Sequence, residues 1–74
     1  MNEYFDQDAW HRALRKNRIR SAGKVGSLAG FSESYGRQVA AGLLPSMAAR
    51  DKIAKVLGVS PGELWKTVPE AAMK

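Results

Sequence analysis

Six cations stand close together near the start of the chain: Arg12, Arg15, Lys16, Arg18, Arg20 and Lys24, with no acid among residues 9–24. A basic block of this kind suits a polyanion, either a nucleic acid or an acidic membrane surface; equally, it is what the solvated face of a basic helix looks like. Its surroundings differ. Residues 1–8 hold Glu3, Asp6 and Asp8 and no cation, and the remainder of the chain is close to balanced, which leaves a net charge of +5. Other chemistries lack their parts. His11, beside Trp10, is the one histidine, and there is no cysteine, so neither a metal ligand set nor a catalytic dyad can be assembled. The carboxylates are scattered singly. No structural zinc site, cofactor, small-molecule ligand or enzyme activity is expected. Gly23-Lys24-Val25-Gly26 has a faint look of a phosphate-binding glycine loop, but it lacks the preceding strand and the GK[ST] ending.

The elements that must carry these residues read as short helices punctuated by glycine, with no alternating run long enough for a strand. From Asp8 to Arg18, Trp10, Ala13 and Leu14 share one helical face, while His11, Arg12, Arg15, Lys16 and Arg18 take the other. Ser21 sits where an N-cap belongs, opening a second helix through Lys24, Val25, Leu28 and Ala29 that Gly30 ends. Ser32 caps a third helix from Glu33 to about Ala41, stopped by Gly42. Leu43-Leu44-Pro45 connects to a fourth helix capped by Ser46, with Ala49, Ile53, Ala54 and Leu57 inward and Asp51 and Lys55 paired outward. Gly58 ends it. Ser60-Pro61-Gly62-Glu63 is a capping box with proline at the first helical position. Residues 66–74 read as polar and loose.

At 74 residues and 8.1 kDa, this is one small domain. A core of that size contributes only about 3–5 kcal/mol unaided. Disulfides are excluded, so tight helical packing, with dimerisation, has to supply the rest. Trp10, Leu14, Val25, Phe31, Val39, Ile53 and Leu57 are the expected core. No apolar run approaches the roughly 20 residues that span a bilayer, and the acidic opening MNEYFDQD is not a signal peptide. The expected location is the cytoplasm. The expected organisation is an acidic N-terminal extension over 1–8, a helical domain over 9–66 and a C-terminal tail over 67–74.

Two short helices joined through Gly30-Phe31-Ser32 leave room for a helix-turn-helix, whose second helix enters the DNA major groove. Here the chain resembles the lambda-repressor/Cro-like (XRE-type) regulators. Residues Ser21 to Ser32, SAGKVGSLAGFS, look like that family's second helix and turn. Residues Pro45 to Ser60, PSMAARDKIAKVLGVS, are similar to its fourth helix and the following turn, and Leu14-Arg15 matches a common pair of its first helix. The likeness covers roughly residues 10–65. It implies an all-α bundle of about five helices that binds double-stranded DNA, commonly as a homodimer on a pseudo-palindromic operator. Carried over position by position, Glu33, Ser34, Arg37 and Gln38 fall on base-facing or phosphate-facing positions of the recognition helix. Ser32 falls on a phosphate-contacting cap. The chemistry agrees: Gln pairs with adenine, Arg with guanine, Glu accepts from cytosine, and Ser bonds to either partner. Given the motif, Arg15, Arg20 and Lys24 are backbone contacts. Tyr35 either packs on a sugar–phosphate or thymine methyl, or is structural.

The resemblance has departures. Ala22 stands where many relatives carry glutamine. Gly36 occupies the place of a branched apolar residue, and Gly26 lies inside the preceding helix, where a small residue suits two closely approaching helices. Internal glycines cost about 1 kcal/mol each relative to alanine, so a recognition helix loosened until DNA orders it is expected, with no other reason for Gly36. Arg50, on an inward arc where leucine is usual, either snorkels outward or reaches a phosphate. Trp65, Val68 and Met73 either close the open end of the core or form an apolar patch for a twin subunit.

The function expected from all this is a dimeric transcriptional repressor acting by promoter occlusion. Its economy suits an autorepressor of a short phage or mobile-element operon, in the style of Cro-like switches and anti-CRISPR-associated regulators. Two rivals differ in class. A helix-turn-helix bundle repurposed for a protein partner, such as an antitoxin, predicts an exposed apolar groove and weak DNA affinity. A non-specific binder of nucleic acid or membrane surface predicts no sequence preference.

Overall fold

A serine or aspartate precedes every helix, and most of them cap through the side chain. The computed structural model describes residues 2–68. Helix α1 is Gln7–Lys16, with the Asp6 carboxylate accepting from Ala9 N at 3.0 Å. Helix α2 is Ala22–Leu28, α3 is Glu33–Ala40 and α4 is Met47–Leu57; the hydroxyls of Ser21, Ser32 and Ser46 accept from Lys24 N, Tyr35 N and Ala49 N at 3.0–3.3 Å. The last, α5, is the single turn Pro61–Leu64, held where Ser60 N donates to the Glu63 carboxylate at 2.7 Å. Each such cap satisfies an amide that the helix itself leaves unbonded, worth about 1 kcal/mol. The first helix ends two residues sooner than its apolar spacing suggests. Arg18 lies at φ 57°, in the left-handed region, and Asn17 Nδ2 donates to the carbonyls of both Ala13 and Leu57 at 2.8 Å, tying the ends of α1 and α4 together.

The structure corrects the expected all-α architecture and its termini. Of the expected N-terminal extension over 1–8, residues 2–8 are built into the fold. Asn2–Phe5 forms a strand, β1, that pairs antiparallel with β2, Trp65–Val68, in the register Asn2↔Val68, Glu3↔Thr67, Tyr4↔Lys66, Phe5↔Trp65. The described residues are mostly helical, five helices closed at one end by this two-stranded sheet. Two ion pairs fasten it. Lys66 Nζ lies 2.5 Å from Asp6 Oδ2, and Arg50 Nη2 lies 2.7 Å from Glu3 Oε2. The bond from Lys66, with that from Ala9 N, holds the Asp6 carboxyl below its ordinary value and raises Lys66 in return.

Trp10, Leu14, Val25, Val39, Ile53, Leu57, Leu64 and Trp65 form the buried core, with Phe5 packed between Trp10 and Trp65 at ring distances of 5.3 and 5.7 Å. Each fully buried large side chain contributes on the order of 1.5–3 kcal/mol. Trp65 is only 4% exposed. It therefore closes the core and is not surface for a twin subunit. The side chain of Val68 and the whole of Met73, its companions in that reading, lie outside the described residues. Phe31, expected in the core, is half-buried at its margin. Arg50 neither snorkels nor faces outward to a phosphate. It is buried, with Nε donating to Pro45 O at 3.0 Å and its guanidinium 5.7 Å above the Trp65 ring. No helix among the described residues is long and apolar enough to cross a membrane.

Candidate nucleic-acid interface

Helices α2 and α3 touch backbone to backbone, and glycine is the reason. Gly26 and Gly36 are buried and face each other. A Cβ on Gly36 would collide with the Ala22 carbonyl oxygen and stand 2.8 Å from Gly26 N. One on Gly26 would collide with the Ser32 carbonyl oxygen and stand 2.7 Å from Gly36 N. Neither neighbour is a flexible side chain that can swing away. Gly36 thus has the close approach as its reason, and the expectation of a loosened helix omitted that packing. Gly23 adds a third position, since a Cβ there would lie 3.1 Å from Arg37 Nη1 and 3.2 Å from Glu33 Cβ. Gly30, at φ 90°, makes the turn between the helices in a conformation that other residues adopt at a cost.

With α3 held this way, Val39 and Gly36 face inward and the opposite side is free. Glu33, Ser34, Arg37 and Gln38 are all exposed, as their spacing of one and four residues on a helix requires. They are linked in two neighbouring pairs. Arg37 Nη1 is 3.8 Å from Glu33 Oε1, with both side chains well over half exposed, and Gln38 Nε2 donates to Ser34 Oγ at 3.4 Å. Such exposed pairs are worth a few tenths of a kcal/mol. They orient the side chains yet yield to any better partner. Ser32 is exposed at the head of this face. Tyr35 is half-buried, its ring 4.7 Å from that of Phe31, over which Lys52 Nζ sits at 5.6 Å. Packing thus occupies part of the Tyr35 ring.

The cations fall into a second group. Arg18, Arg20 and Lys24 line an open cleft of about 470 Å³ between the end of α1 and α2, together with Asn17, Ile19, Ser21 and Leu28. Arg20 and Lys24 are exposed there. Arg15 is exposed on the last turn of α1 and does not line the cleft. Arg18 was read only as one member of the basic block. Its left-handed backbone has no local signal beyond the end of the apolar spacing. Among the described residues, no carboxylate lies within 4.0 Å of any of the six cations from Arg12 to Lys24. Glu3 and Asp6 are held by Arg50 and Lys66, while Asp8, exposed in the first turn of α1, stands one turn before Arg12. Arg12 and Lys16 do help to lower the Asp6 and Glu63 carboxyls by charge, so it is the cleft cations Arg18, Arg20 and Lys24 that carry a positive potential towards a polyanion. Comparison with protein-family models, with curated proteins and with solved structures finds no match for the chain.

Proposed function

We propose that this protein is a sequence-specific regulator that binds double-stranded DNA as a helix-turn-helix and represses by covering a promoter. In this reading α3 enters the major groove. Arg37 and Gln38 offer paired hydrogen bonds to guanine and adenine, Glu33 accepts from cytosine, and Ser34 bonds to either neighbour. Arg20 and Lys24, with Arg18 beside them, hold phosphates and fix the register without reading bases. The observation that carries the reading is the glycine crossing. It presents a polar, side-chain-linked face of α3 on a helix locked against α2, with a basic cleft between α2 and the end of α1. An eight-residue helix is about 12 Å long, and the major groove is about 12 Å wide and admits a helix.

The test is selection of bound duplexes from a randomised pool, then fluorescence anisotropy with the selected duplex and a scrambled one of equal composition near physiological salt. A preference of about 10³-fold or more is expected of specific readout. Equal binding at micromolar or weaker affinity would overturn it. A second reading, a bundle that serves a protein partner, draws on the exposed side chains of Leu43, Leu44 and Met47; it predicts weak DNA binding that salt hardly changes.

A further inference from the structure

The cleft between the end of α1 and α2 holds more than a phosphate needs. Arg18, Arg20 and Lys24 line its roughly 470 Å³, and so do Ile19 and Leu28. Ile19 is half-buried against the core, whereas Leu28 is 53% exposed, a large apolar side chain standing in solvent beside three cations. From this pairing of charge with an apolar wall we infer that the cleft is a binding site for a small organic anion, a carboxylate or phosphate monoester carried on an apolar body. The site does not depend on the DNA reading above; only its effect on DNA binding rests on that reading. The expectation of no small-molecule ligand rests on absent metal and catalytic sets, neither of which such a cleft needs.

Arg18 supplies a second observation. Helix α1 ends in a paired turn, in which Ile19 N donates to Leu14 O at 2.9 Å and Arg18 N to Arg15 O at 3.1 Å. The residue at the centre of such a turn is left-handed and ordinarily glycine, because a side chain there is strained. Among the described residues Gly30, Gly42 and Gly58 take the other positive φ values, and Arg18, at φ 57°, is the one that carries a side chain. A strained residue at a concave surface, where glycine would close the helix without strain, points to work done by the side chain itself. What that side chain adds to a cleft residue is a guanidinium, whose fork matches the paired oxygens of a carboxylate or phosphate. Among the described residues no carboxylate lies within 4.0 Å of Arg18, Arg20 or Lys24, so an incoming anion meets no internal rival. A bare phosphate, however, has no apolar surface with which to cover Leu28. Ligand sites run from about 300 to 1,000 Å³, and a cavity of about 150 Å³ already holds benzene. The cleft thus has room for a ring and its charged group. Because it is open, one side of the ligand stays wet and the affinity is modest.

The probes are phenyl phosphate, inorganic phosphate and phenol, titrated at matched ionic strength into the isotope-labelled full chain while amide shifts are followed by NMR. Phenyl phosphate is expected to bind with a dissociation constant of about 1 mM and to move the amides of Ser21, Lys24 and Leu28 most. Covering about 50 Å² of ring is worth roughly eightfold in affinity, so inorganic phosphate should bind at least about fivefold more weakly. Phenol, which lacks the charge, should be weaker by a similar factor. Equal affinity for phenyl phosphate and phosphate would overturn the inference, as would shifts spread evenly over all the cations of the chain. Arg18→Gly should weaken phenyl phosphate binding at least about threefold, with a thermal melt at or above the parent's, since glycine relieves the left-handed backbone. Leu28→Asn should remove the preference for phenyl phosphate and leave phosphate binding as it was, because that side chain is largely in solvent. Either variant binding all three probes as the parent does would overturn the site. On a selected duplex, phenyl phosphate at about 5 mM should lower DNA affinity at least about twofold more than inorganic phosphate does. Uptake of phenyl phosphate without selective DNA binding would overturn the DNA reading and leave the site standing. Selective DNA binding by a protein that takes phenyl phosphate no better than phosphate would do the reverse.

Discussion

Replacing Gly36 by alanine sets two effects of opposite sign against each other. Helix propensity favours the substitution: alanine in a helix interior is better than glycine by about 1 kcal/mol. Packing opposes it. The new methyl would overlap the Ala22 carbonyl oxygen and lie 2.8 Å from Gly26 N. Both are backbone atoms of a helix, so relief requires α2 and α3 to move apart. Overpacking of this kind costs about 1–3 kcal/mol, occasionally more, and separation also uncovers Val25 and Val39, which are fully buried. A clash against backbone belongs at the upper end of that range, about 2–3 kcal/mol, so with propensity subtracted Gly36→Ala should lose about 1–2 kcal/mol. At about 4–8 °C per kcal/mol for a domain of this size, its midpoint in a circular-dichroism melt should fall by roughly 4–16 °C. Gly62→Ala is the control, because nothing lies within 4 Å of a Cβ there and its backbone is helical. It should melt at or slightly above the parent. A Gly36→Ala protein that melts at or above the parent would refute the backbone crossing, and with it the account of how α3 is held.

Arg50→Ala removes the cation from between Glu3, Pro45 O and the Trp65 ring; as the lost bonds are charge-assisted, urea titration should show a loss of about 1.5–3 kcal/mol. Glu3→Gln should cost less than about 1 kcal/mol, since its side chain is 42% exposed. In acid, the Asp6 contribution is complete above its ordinary 3.8 and disappears as pH falls through its lowered folded value, because there the unfolded chain binds more protons. Glu63, lowered by its bond from Ser60 N, acts in the same direction. Melts of Asp6→Asn against pH should accordingly show a shallower acid limb, and an unchanged limb would remove Asp6 from the cause. On a selected duplex, Gln38→Ala should cost about 1–3 kcal/mol and relax preference at one or two base pairs; an equal loss on every duplex would exclude base reading. Lys24→Ala should weaken all duplexes alike and reduce the salt slope by roughly one, and an unchanged slope would count against a phosphate contact.

The local parts of this fold were legible because their causes are local. Ser21, Ser32, Ser46 and Ser60 announce helix starts, Gly58 an end, and Ser60 and Glu63 a reciprocal cap, each within a few residues of its partner. The same holds for the shared exposure of Glu33, Ser34, Arg37 and Gln38, which follows from helical spacing alone. Long-range causes were not legible. Neither Asn2–Phe5 nor Trp65–Val68 alternates for long enough to read as a strand, and each exists only because the other lies across from it, held by a bond between residues 60 apart in sequence. Gly36 looked like a defect of α3 because its explanation, Gly26, belongs to another helix. Arg50 looked misplaced because its partner Glu3 was assigned to an extension. The burial of Trp65 depends on Phe5, far away in the chain, whose ring packs 5.7 Å from its own.

These long-range contacts also bear on the electrostatics of the proposed interface. An acidic segment immediately before a basic helix would ordinarily be expected to fold back and neutralise it. Here the strand pairing carries Glu3 to Arg50 and the α1 cap leaves Asp6 beside Lys66, so two of the segment's three acids are engaged by cations from outside the block, and Asp8 alone stands a turn from Arg12. The closure of the sheet and the positive field over Arg12 to Lys24 are therefore coupled. Removing Arg50 or Lys66 would free a carboxylate within the first six residues, and the coupling predicts that DNA affinity then falls more at low salt than at high salt, where screening already shortens the reach of both charges. For Lys66→Met this is measurable by anisotropy at two salt concentrations below the melting range. A loss of affinity equal at both would mean that the substitution acts by disturbing the fold and not through the field.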